Sequence, residues 1–238
     1  MCGRDTALFT WQQVRDHLKT LRVTTPADDP VPTYNRAPTQ QGWGVVRTEE
    51  GYGALSMRWG LLPPWAKDTR LAYSTINARL ESIESKPAFR GAWKHRRALI
   101  PASGYYEWMR IDARNKQPYY IRHAESPLMT YAGLWEVRRD EAGHELLTYS
   151  IITRDADQSL ATIHDRMPLV LPPEVHRDWL EATPDEAMRL ALAVPAPPLI
   201  FHPVRRDVGN VRNDGPYLIE PSDAREDGSA SLGRLDDA

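Results

Sequence analysis

The second residue of the chain is its only cysteine, Cys2. Methionine aminopeptidases act when the second residue is small, so we expect Met1 to be removed and Cys2 to become N-terminal. Its α-amine (pKa about 8) and its thiol (about 8.5) would both have reactive fractions at neutral pH. The thiolate could attack an acyl carbon; alternatively the amine could condense with an aldehyde and the thiol close a thiazolidine ring. A frayed, unreactive terminus is the ordinary alternative, although Gly3 would let a ligand approach closely.

Two further motifs contain a titratable side chain in an unusual setting. Glu107 lies in the aromatic run Gly104–Trp108, where desolvation would raise its pKa towards the range useful for acid–base catalysis. A glutamate on an edge strand, facing water, would fit the same run. His164 lies in Ile163–Pro168 and could exchange a proton near neutral pH. Arg166 of that motif could hold a phosphate, whereas a capping histidine beside a local Asp–Arg ion pair is the alternative.

Other segments carry groups suited to sugars, phosphates and bases. Asn77 and Arg79 are two residues apart, so an extended backbone places both side chains on one face. There the amide could contact a sugar oxygen and the guanidinium a phosphate; a turn with Asn77 as a helix N-cap is the alternative. Trp65 ends a proline-rich stretch and could stack on unpaired bases, unless it packs in the core. The histidines lack metal-ligand spacing, so we expect no metal and no cofactor.

The elements that must position these groups are mostly short strands. Helical periodicity and capping residues predict helices at 11–21, at 173–182 and after Thr183, with a short helix at 156–163 leading into His164. Because strands outnumber helices without alternating with them, we expect an α+β fold with a mainly antiparallel, barrel-like β core flanked by short helices. Apolar and aromatic runs predict strands at 43–48, 54–60, 97–101, 104–109, 118–123, 129–137, 146–153, 168–171 and 199–204.

Composition limits the class of protein. The 238 residues are 41% hydrophobic and contain no apolar run of the ~20 residues that a membrane helix needs. A single cysteine excludes a disulfide framework. The N-terminus shows no signal pattern, so we expect a cytoplasmic protein, associated with the nucleoid if it is bacterial. We expect one domain over residues 1–221, an acidic, disordered tail at 222–238, and by default a monomer.

The charge distribution matters more than the total. A net charge of −2 argues by itself against a nucleic-acid partner. However, residues 70–122 contain eleven Lys and Arg against four Asp and Glu, a basic segment of the kind that attracts phosphates. An ordinary solvated face would have the same composition, so charge alone leaves the partner open.

In chain order the motifs resemble those of the SRAP family, the SOS-response-associated peptidases or abasic-site-processing proteins. The resemblance covers about residues 2–221. The motifs that carry it are Met1–Arg4, Tyr34–Thr39, Ile76–Arg79, Gly104–Trp108, Ile163–Pro168, His202–Val204 and Val208–Val211.

The resemblance implies a single SRAP-type domain that acts in the DNA damage response. Family members recognise abasic sites in single-stranded DNA and cross-link to them: the cysteine amine forms a Schiff base, and the thiol closes a thiazolidine. Asn77 matches the asparagine that orients the sugar and the cysteine, and Glu107 matches the acid–base glutamate. His164 matches the histidine that assists ring opening and later reversal. The positions that match DNA contacts and the stacking surface are Gly3, Arg4, Pro38, Trp65, Arg79, Trp108 and Arg166.

Three rival functions stay open. Glutamine amidotransferases also begin with Met-Cys-Gly, which makes an N-terminal-nucleophile hydrolase the strongest rival, although the motifs around Asn77, Glu107 and His164 are not expected there. A self-processing thiol peptidase would use Cys2 only to cleave the preceding bond, and a non-enzymatic reader of single strands would not need Cys2. The resemblance adds AP-lyase-type chemistry and leaves replication-fork proteins as candidate partners. Ala98 stands where many relatives have a second cysteine, so we expect no chemistry from that position.

Overall fold

A computed structural model describes residues 2–139 and 142–222. Within these ranges the α-helices are α1 (Trp11–His17), α2 (Arg90–His95), α3 (His176–Glu181) and α4 (Pro184–Ala193). The strands are β1 (Asp5–Ala7), β2 (Val23–Thr24), β3 (Thr33–Arg36), β4 (Gln41–Thr48), β5 (Gly51–Trp59), β6 (Asn77–Arg79), β7 (Arg97–Ala102), β8 (Gly104–Arg110), β9 (Lys116–His123), β10 (Met129–Arg139), β11 (Glu145–Asp155), β12 (Arg166–Pro168) and β13 (Leu199–Pro203).

Five strands close into a barrel. β4 pairs antiparallel with β5 and β7, and β10 pairs antiparallel with β7 and β11. A parallel pairing of β5 with β11, which sets Trp59 beside Tyr149, completes the ring. β2 adds to β5, while β6 and β12 add to β11. The predicted α+β fold with a mainly antiparallel, barrel-like core is therefore confirmed, and the closing parallel pair makes the barrel mixed.

A second sheet of five strands, ordered β13-β9-β8-β1-β3, holds the start of the chain. β1 lies between β8 and β3, with Asp5 opposite Tyr105 on one side and opposite Arg36 on the other. Burial of every β1 residue anchors the strand. This sheet therefore fixes where Cys2, three residues before β1, can lie.

Alternation along the barrel strands sends their side chains into two main clusters, one on each face of the barrel wall. One set of side chains packs beneath the helices, and it includes Trp11 of α1 and Trp179 of α3. The other set converges on Cys2. The barrel residues in the Cys2 cluster include Val46, Met57, Trp59, Ala98, Ile100, Tyr131, Tyr149 and Ile151. The inner face of the barrel thus forms the floor beneath Cys2.

Helices are present at the positions predicted around 11–21, 173–182 and after Thr183, although α1 ends at His17, four residues earlier than predicted. Thr10 with Gln13 and Thr183 with Glu186 form complete capping boxes at the starts of α1 and α4. The predicted helix at 156–163 is wrong: these residues form successive turns, in which Asp157 Oδ1 accepts from the Leu160 N–H. Aspartate competes with helical hydrogen bonds in this way because its short side chain reaches nearby backbone donors. The predicted strand at 168–171 lies earlier, as β12.

Most of the predicted acidic tail, 223–238, lies outside the described residues. Among the residues that the structure does describe, no helix is long and apolar enough to cross a membrane.

Candidate active site

Strand pairing brings Cys2 to Glu107. β1 runs antiparallel to β8 with Asp5 opposite Tyr105 and Thr6 opposite Gly104. The Tyr106 N–H donates to the Arg4 carbonyl at 2.9 Å, so the two chains stay paired beyond the end of β1. Continuing this register places Gly3 opposite Glu107. Backbone pairing therefore positions Cys2, the residue before Gly3, close to the Glu107 carboxylate.

The Cys2 side chain is fully buried (0% exposed). Burial raises the pKa of its thiol well above the ordinary value, and the nearby Glu107 carboxylate raises the pKa further. A hydrogen bond from the Arg4 backbone N–H lowers the pKa but does not offset these effects. The thiol is consequently protonated at neutral pH, and attack through sulfur requires a base beside it.

Asn77 holds the backbone at Cys2. Its Nδ2 donates to the Cys2 carbonyl at 2.8 Å, and its side chain is buried. Residues 77–79 form β6, which pairs parallel with β11, so the extended prediction is confirmed and the N-cap alternative is wrong. The buried Oδ1 has no hydrogen-bond partner among the residues that the structure describes. This amide is therefore a fixed donor to Cys2 that keeps an acceptor for a further ligand.

Glu107 faces the Cys2 cluster and not water. Its side chain is 3% exposed, on the face of β8 shared with Tyr105 and Met109, while Tyr106 and Trp108 face another cluster. Burial raises the pKa of Glu107 to about 7. At neutral pH the carboxyl is thus divided between its acid and base forms, which suits proton transfer in both directions.

His164 lies across from Glu107, with Nε2 3.9 Å from Oε2. Its Nδ1 accepts the Arg166 backbone N–H at 3.0 Å, so a neutral ring carries its proton on Nε2. Asp165 Oδ1 also lies 2.8 Å from Nδ1, where it would pair with a protonated ring. Burial lowers the pKa of His164, which favours the neutral form at neutral pH. We therefore assign an Nε2–H that faces the Glu107 side of the site.

Arg166 is engaged in an ion-pair network. Its guanidinium is bidentate to Glu81 at 2.9 and 3.0 Å, pairs with Asp155, and donates to the Thr153 carbonyl at 2.8 Å. The side chain is buried. These bonds tie β12 to β11, which fixes the backbone N–H that orients His164. A DNA phosphate that approached Arg166 would also approach the carboxylates of Glu81 and Asp155, which carry charge of the same sign as the phosphate.

Arg4 is also committed to protein contacts. Its Nη1 donates to Asn35 Oδ1 at 2.8 Å and to the Val208 carbonyl at 2.7 Å, and its guanidinium lies 5.9 Å from the centre of the Trp108 ring. Asn35 Nδ2 donates to the carbonyls of the 208–213 segment. Arg4 thus joins two of the sequence motifs, and Gly3 beside it is partly exposed.

The other predicted DNA contacts lie on the surface. Trp65 is 58% exposed, so it is not a core residue, and Arg79 is exposed at the end of β6. Trp108 is partly buried. Pro38 precedes Thr39, whose φ of 74° is the left-handed conformation that a β-branched residue rarely adopts. Such strain is typical of functional loops.

Sequence reasoning missed the polar groups beneath Cys2. Arg36 is bidentate to Asp5, with Nε–Oδ1 and Nη2–Oδ2 both 2.7 Å, and both side chains are buried. The buried hydroxyls of Tyr105, Tyr131 and Tyr149 have no hydrogen-bond partner within the described ranges. Arg36 belongs to the Tyr34–Thr39 motif, which is the signal that could have identified it. Within residues 2–139 and 142–222, no group of His, Cys, Asp and Glu side chains is arranged so that it could hold a metal ion.

Comparison with known proteins defines the family. A family model described as SOS response associated peptidase (SRAP) matches residues 1–211. The chain is 36% identical over 231 residues to the abasic site processing protein YedK of Escherichia coli (strain K12), covering 93% of this chain and 100% of that protein. It is 34% identical over 223 residues to the abasic site processing protein YoaM of Bacillus subtilis (strain 168), covering 92% and 98%. The chain therefore belongs to the SRAP family.

A solved structure shows the same fold. The crystal structure of a protein from Bacteroides thetaiotaomicron matches with a TM-score of 0.78 at 23% identity, covering 93% of this chain and 100% of that one. The barrel and the second sheet are thus shared with an experimentally determined structure.

Proposed function

We propose that this protein captures abasic sites in single-stranded DNA by forming a covalent thiazolidine through Cys2 after Met1 is removed. The observation that carries the proposal is the convergence of Cys2, Asn77, Glu107 and His164 at one end of the barrel. The relatives named as abasic site processing proteins support an abasic site as the target. The chemistry is of the Schiff-base type that AP lyases also use.

The covalent steps need an amine, a thiol and one group that both gives and accepts a proton. The Cys2 nitrogen adds to C1′ of the ring-opened sugar, and the carbinolamine loses its hydroxyl as water to give an imine. The thiol then adds across the C=N bond: sulfur bonds to carbon and a proton goes to nitrogen. One water is released overall, and no oxidant or reductant is required.

Glu107 is placed for both proton transfers. With a pKa of about 7, its acid form can protonate the departing hydroxyl and its base form can remove the proton from the buried thiol. The Nε2–H of His164 faces the same region and can protonate the sugar ring oxygen as the ring opens. Asn77 fixes the Cys2 backbone, and its Oδ1 is available to a sugar hydroxyl or to the amine.

Burial of Cys2 favours a substrate without a base. An abasic sugar presents its aldehyde with no attached ring, whereas an intact nucleotide carries a base on the same carbon. A buried thiol is also a poor nucleophile towards large acyl substrates, which argues against a general thiol hydrolase. The Met1–Cys2 bond is the acyl group nearest to it, so self-processing remains compatible with the site.

A denaturing gel tests the proposal. Purified protein, with loss of Met1 confirmed by intact mass, is incubated with a single-stranded oligonucleotide whose single uracil has been removed by uracil glycosylase. We expect a band of lower mobility with the wild type and none with Cys2→Ala. An oligonucleotide that retains its uracil is the control. Absence of the band with the wild type would refute the proposal, and glutaminase activity without cross-linking would support the amidotransferase alternative.

A further inference from the structure

The hairpin of β8 and β9 ends in three exposed cations. Arg110 and Lys116 lie directly opposite one another in the antiparallel register, and Arg114 lies in the connecting turn. Among the residues that the structure describes, no acidic side chain forms an ion pair with any of the three. We refer to Arg110, Arg114 and Lys116 as the hairpin cations.

The pairing of Arg110 with Lys116 works against stability. Like charges directly opposite each other on one sheet face repel, and here both side chains leave the same face. The nearby Asp112 is used by the turn: its Oδ1 accepts the Arg114 and Asn115 N–H groups, and its Oδ2 accepts from the Asn115 side chain. An anion bound between Arg110 and Lys116 would relieve the repulsion that the fold itself leaves in place.

The hairpin cations lie at the end of β8, the strand that also contains Glu107 and Trp108. Side chains two apart on a strand share a face, so Arg110 extends from β8 on the same side as Trp108, about 7 Å further along. Trp108 itself lies beneath the Arg4 guanidinium. Lys116, opposite Arg110, lies near enough to His164 for its charge to help lower the pKa of that histidine, which places the end of the hairpin beside the candidate site.

Three other cations of the basic segment are already held by protein groups. Arg70 pairs with Asp68, and Arg96 pairs with Glu136. Arg97 is buried and donates to backbone carbonyls. Arg4 and Arg166 bind protein groups as described above. A strand held at Cys2 would carry phosphates on each side of the lesion, and the hairpin offers them cations without acidic partners.

We propose that the hairpin cations bind backbone phosphates of the single DNA strand beside the abasic site. This inference rests on the proposed function, because Cys2 fixes where the strand lies. The contacts would be electrostatic and independent of sequence, so they would set affinity and its salt dependence but not the rate of the covalent steps.

The test uses the double variant Arg110→Gln/Lys116→Gln and a matched control. Lys19→Gln/Arg22→Gln removes the same charge from exposed residues beside Leu18 and Leu21, which pack in the other core cluster. Dissociation constants for an undamaged single-stranded oligonucleotide are measured against NaCl concentration. The slope of log K on log[NaCl] changes by about 0.7 for each single-strand phosphate contact. We therefore expect a slope shallower by about 1.4 and a ~10-fold loss of affinity at ~0.1 M salt.

The control variant should have the same salt slope and affinity as the wild type. Both double variants should cross-link abasic DNA at the wild-type rate when DNA is saturating. Removing a like-charge pair predicts an unfolding midpoint no lower than that of the wild type. If the double variant melts early, Lys116→Gln alone carries the test, with an expected slope change of about 0.7.

The two proposals can fail separately. A double variant with the slope and affinity of the control would overturn the inference, even if the wild type cross-links normally. A loss seen only with substrates that carry a flanking duplex would also overturn it, because the phosphates would then belong to paired DNA. A wild type that shows the hairpin-dependent slope but never cross-links would refute the covalent function and leave the phosphate site standing.

Discussion

His164 Nε2 lies 3.9 Å from Glu107 Oε2. The two residues come from distant parts of the chain: His164 lies just before β12, and Glu107 is in the middle of β8. Both groups are partly or wholly withdrawn from water, and burial reverses the usual order of their pKa values: that of the glutamate rises to about 7 and that of the histidine falls below its ordinary value. The pair can therefore share protons near neutral pH, which is the condition that Schiff-base and thiazolidine chemistry imposes.

Loss of the Glu107 carboxylate should slow the chemistry without weakening DNA binding. We expect Glu107→Gln to reduce the rate of cross-linking at saturating DNA by about 10²–10⁴-fold, the range typical of a lost general acid–base. Affinity for an undamaged strand should change less than ~2-fold, because Glu107 faces the interior. Quenched time courses and fluorescence anisotropy measure the two effects. A large loss of affinity for undamaged DNA would contradict the assignment.

The same substitution should reveal a cost of burying Glu107. Its folded-state pKa of about 7 exceeds the unfolded value of about 4.3, so the folded state loses stability as pH rises between the two values. We expect the unfolding free energy of Glu107→Gln to gain about 2–3 kcal/mol relative to that of the wild type between pH 5 and pH 8. Urea titrations at the two pH values measure the difference, and a gap that does not grow with pH would exclude this origin.

The strained Thr39 should respond to a residue that tolerates its backbone. Thr39 makes backbone hydrogen bonds, its N–H donating to the Trp59 carbonyl at 2.8 Å, and these survive substitution. Asparagine adopts positive φ more readily than threonine, so Thr39→Asn should raise the unfolding free energy by about 1 kcal/mol. Thr24→Asn, in the strand β2, should lower the unfolding free energy by roughly a few tenths of a kcal/mol, because asparagine has a lower strand propensity than threonine. Equal effects at both positions would argue against strain at Thr39.

Packing in the floor of the site should forbid a side chain at Gly42. A Cβ there would lie 2.5 Å from the Tyr149 hydroxyl and 2.8 Å from Arg36 Nη1, in the interior where the Arg36–Asp5 pair is buried. Gly42→Ala should destabilise the protein by about 1–3 kcal/mol through overpacking. Gly91→Ala, in α2 with open space around it, should instead stabilise by about 0.5–1 kcal/mol. Thermal or urea unfolding of both variants gives the comparison, and a neutral Gly42→Ala would mean that the floor can rearrange.

Local patterns predicted the long strands and the capped helices well. The aromatic run that contains Glu107 is a strand, as its composition indicates, and the Thr183 capping box begins α4 at the expected residue. β1, β3 and β6 have only three or four residues, too few to show a period. They form because other strands offer pairing partners: β8 for β1, β1 for β3 and β11 for β6. The parallel closure of β5 on β11 joins distant segments and leaves no local signal.

The site could be predicted as a set of residues but not as a geometry. Whether Glu107 faces water depends on which face of β8 packs against the barrel residues of the Cys2 cluster, and the sequence around it is compatible with either face. Arg4 and Arg166 were predicted as DNA contacts from their motifs, yet Asn35 and Glu81, far away in the chain, take up their guanidinium groups. Arginine contacts of this kind, to an amide oxygen for Arg4 and to a carboxylate for Arg166, depend on tertiary placement, which local spacing does not encode.

The position of the covalent bond tests the central claim most directly. Cross-linked protein is digested with trypsin and analysed by mass spectrometry, with Cys2→Ser as the matched variant that keeps the amine but loses the thiol. We predict that the wild type carries the sugar on the peptide Cys2–Arg4, at the summed mass less one water, stable without a reductant. Cys2→Ser should yield that adduct only when borohydride traps the imine. A sugar attached to another peptide, or an equally stable adduct in Cys2→Ser without borohydride, would contradict thiazolidine formation at Cys2.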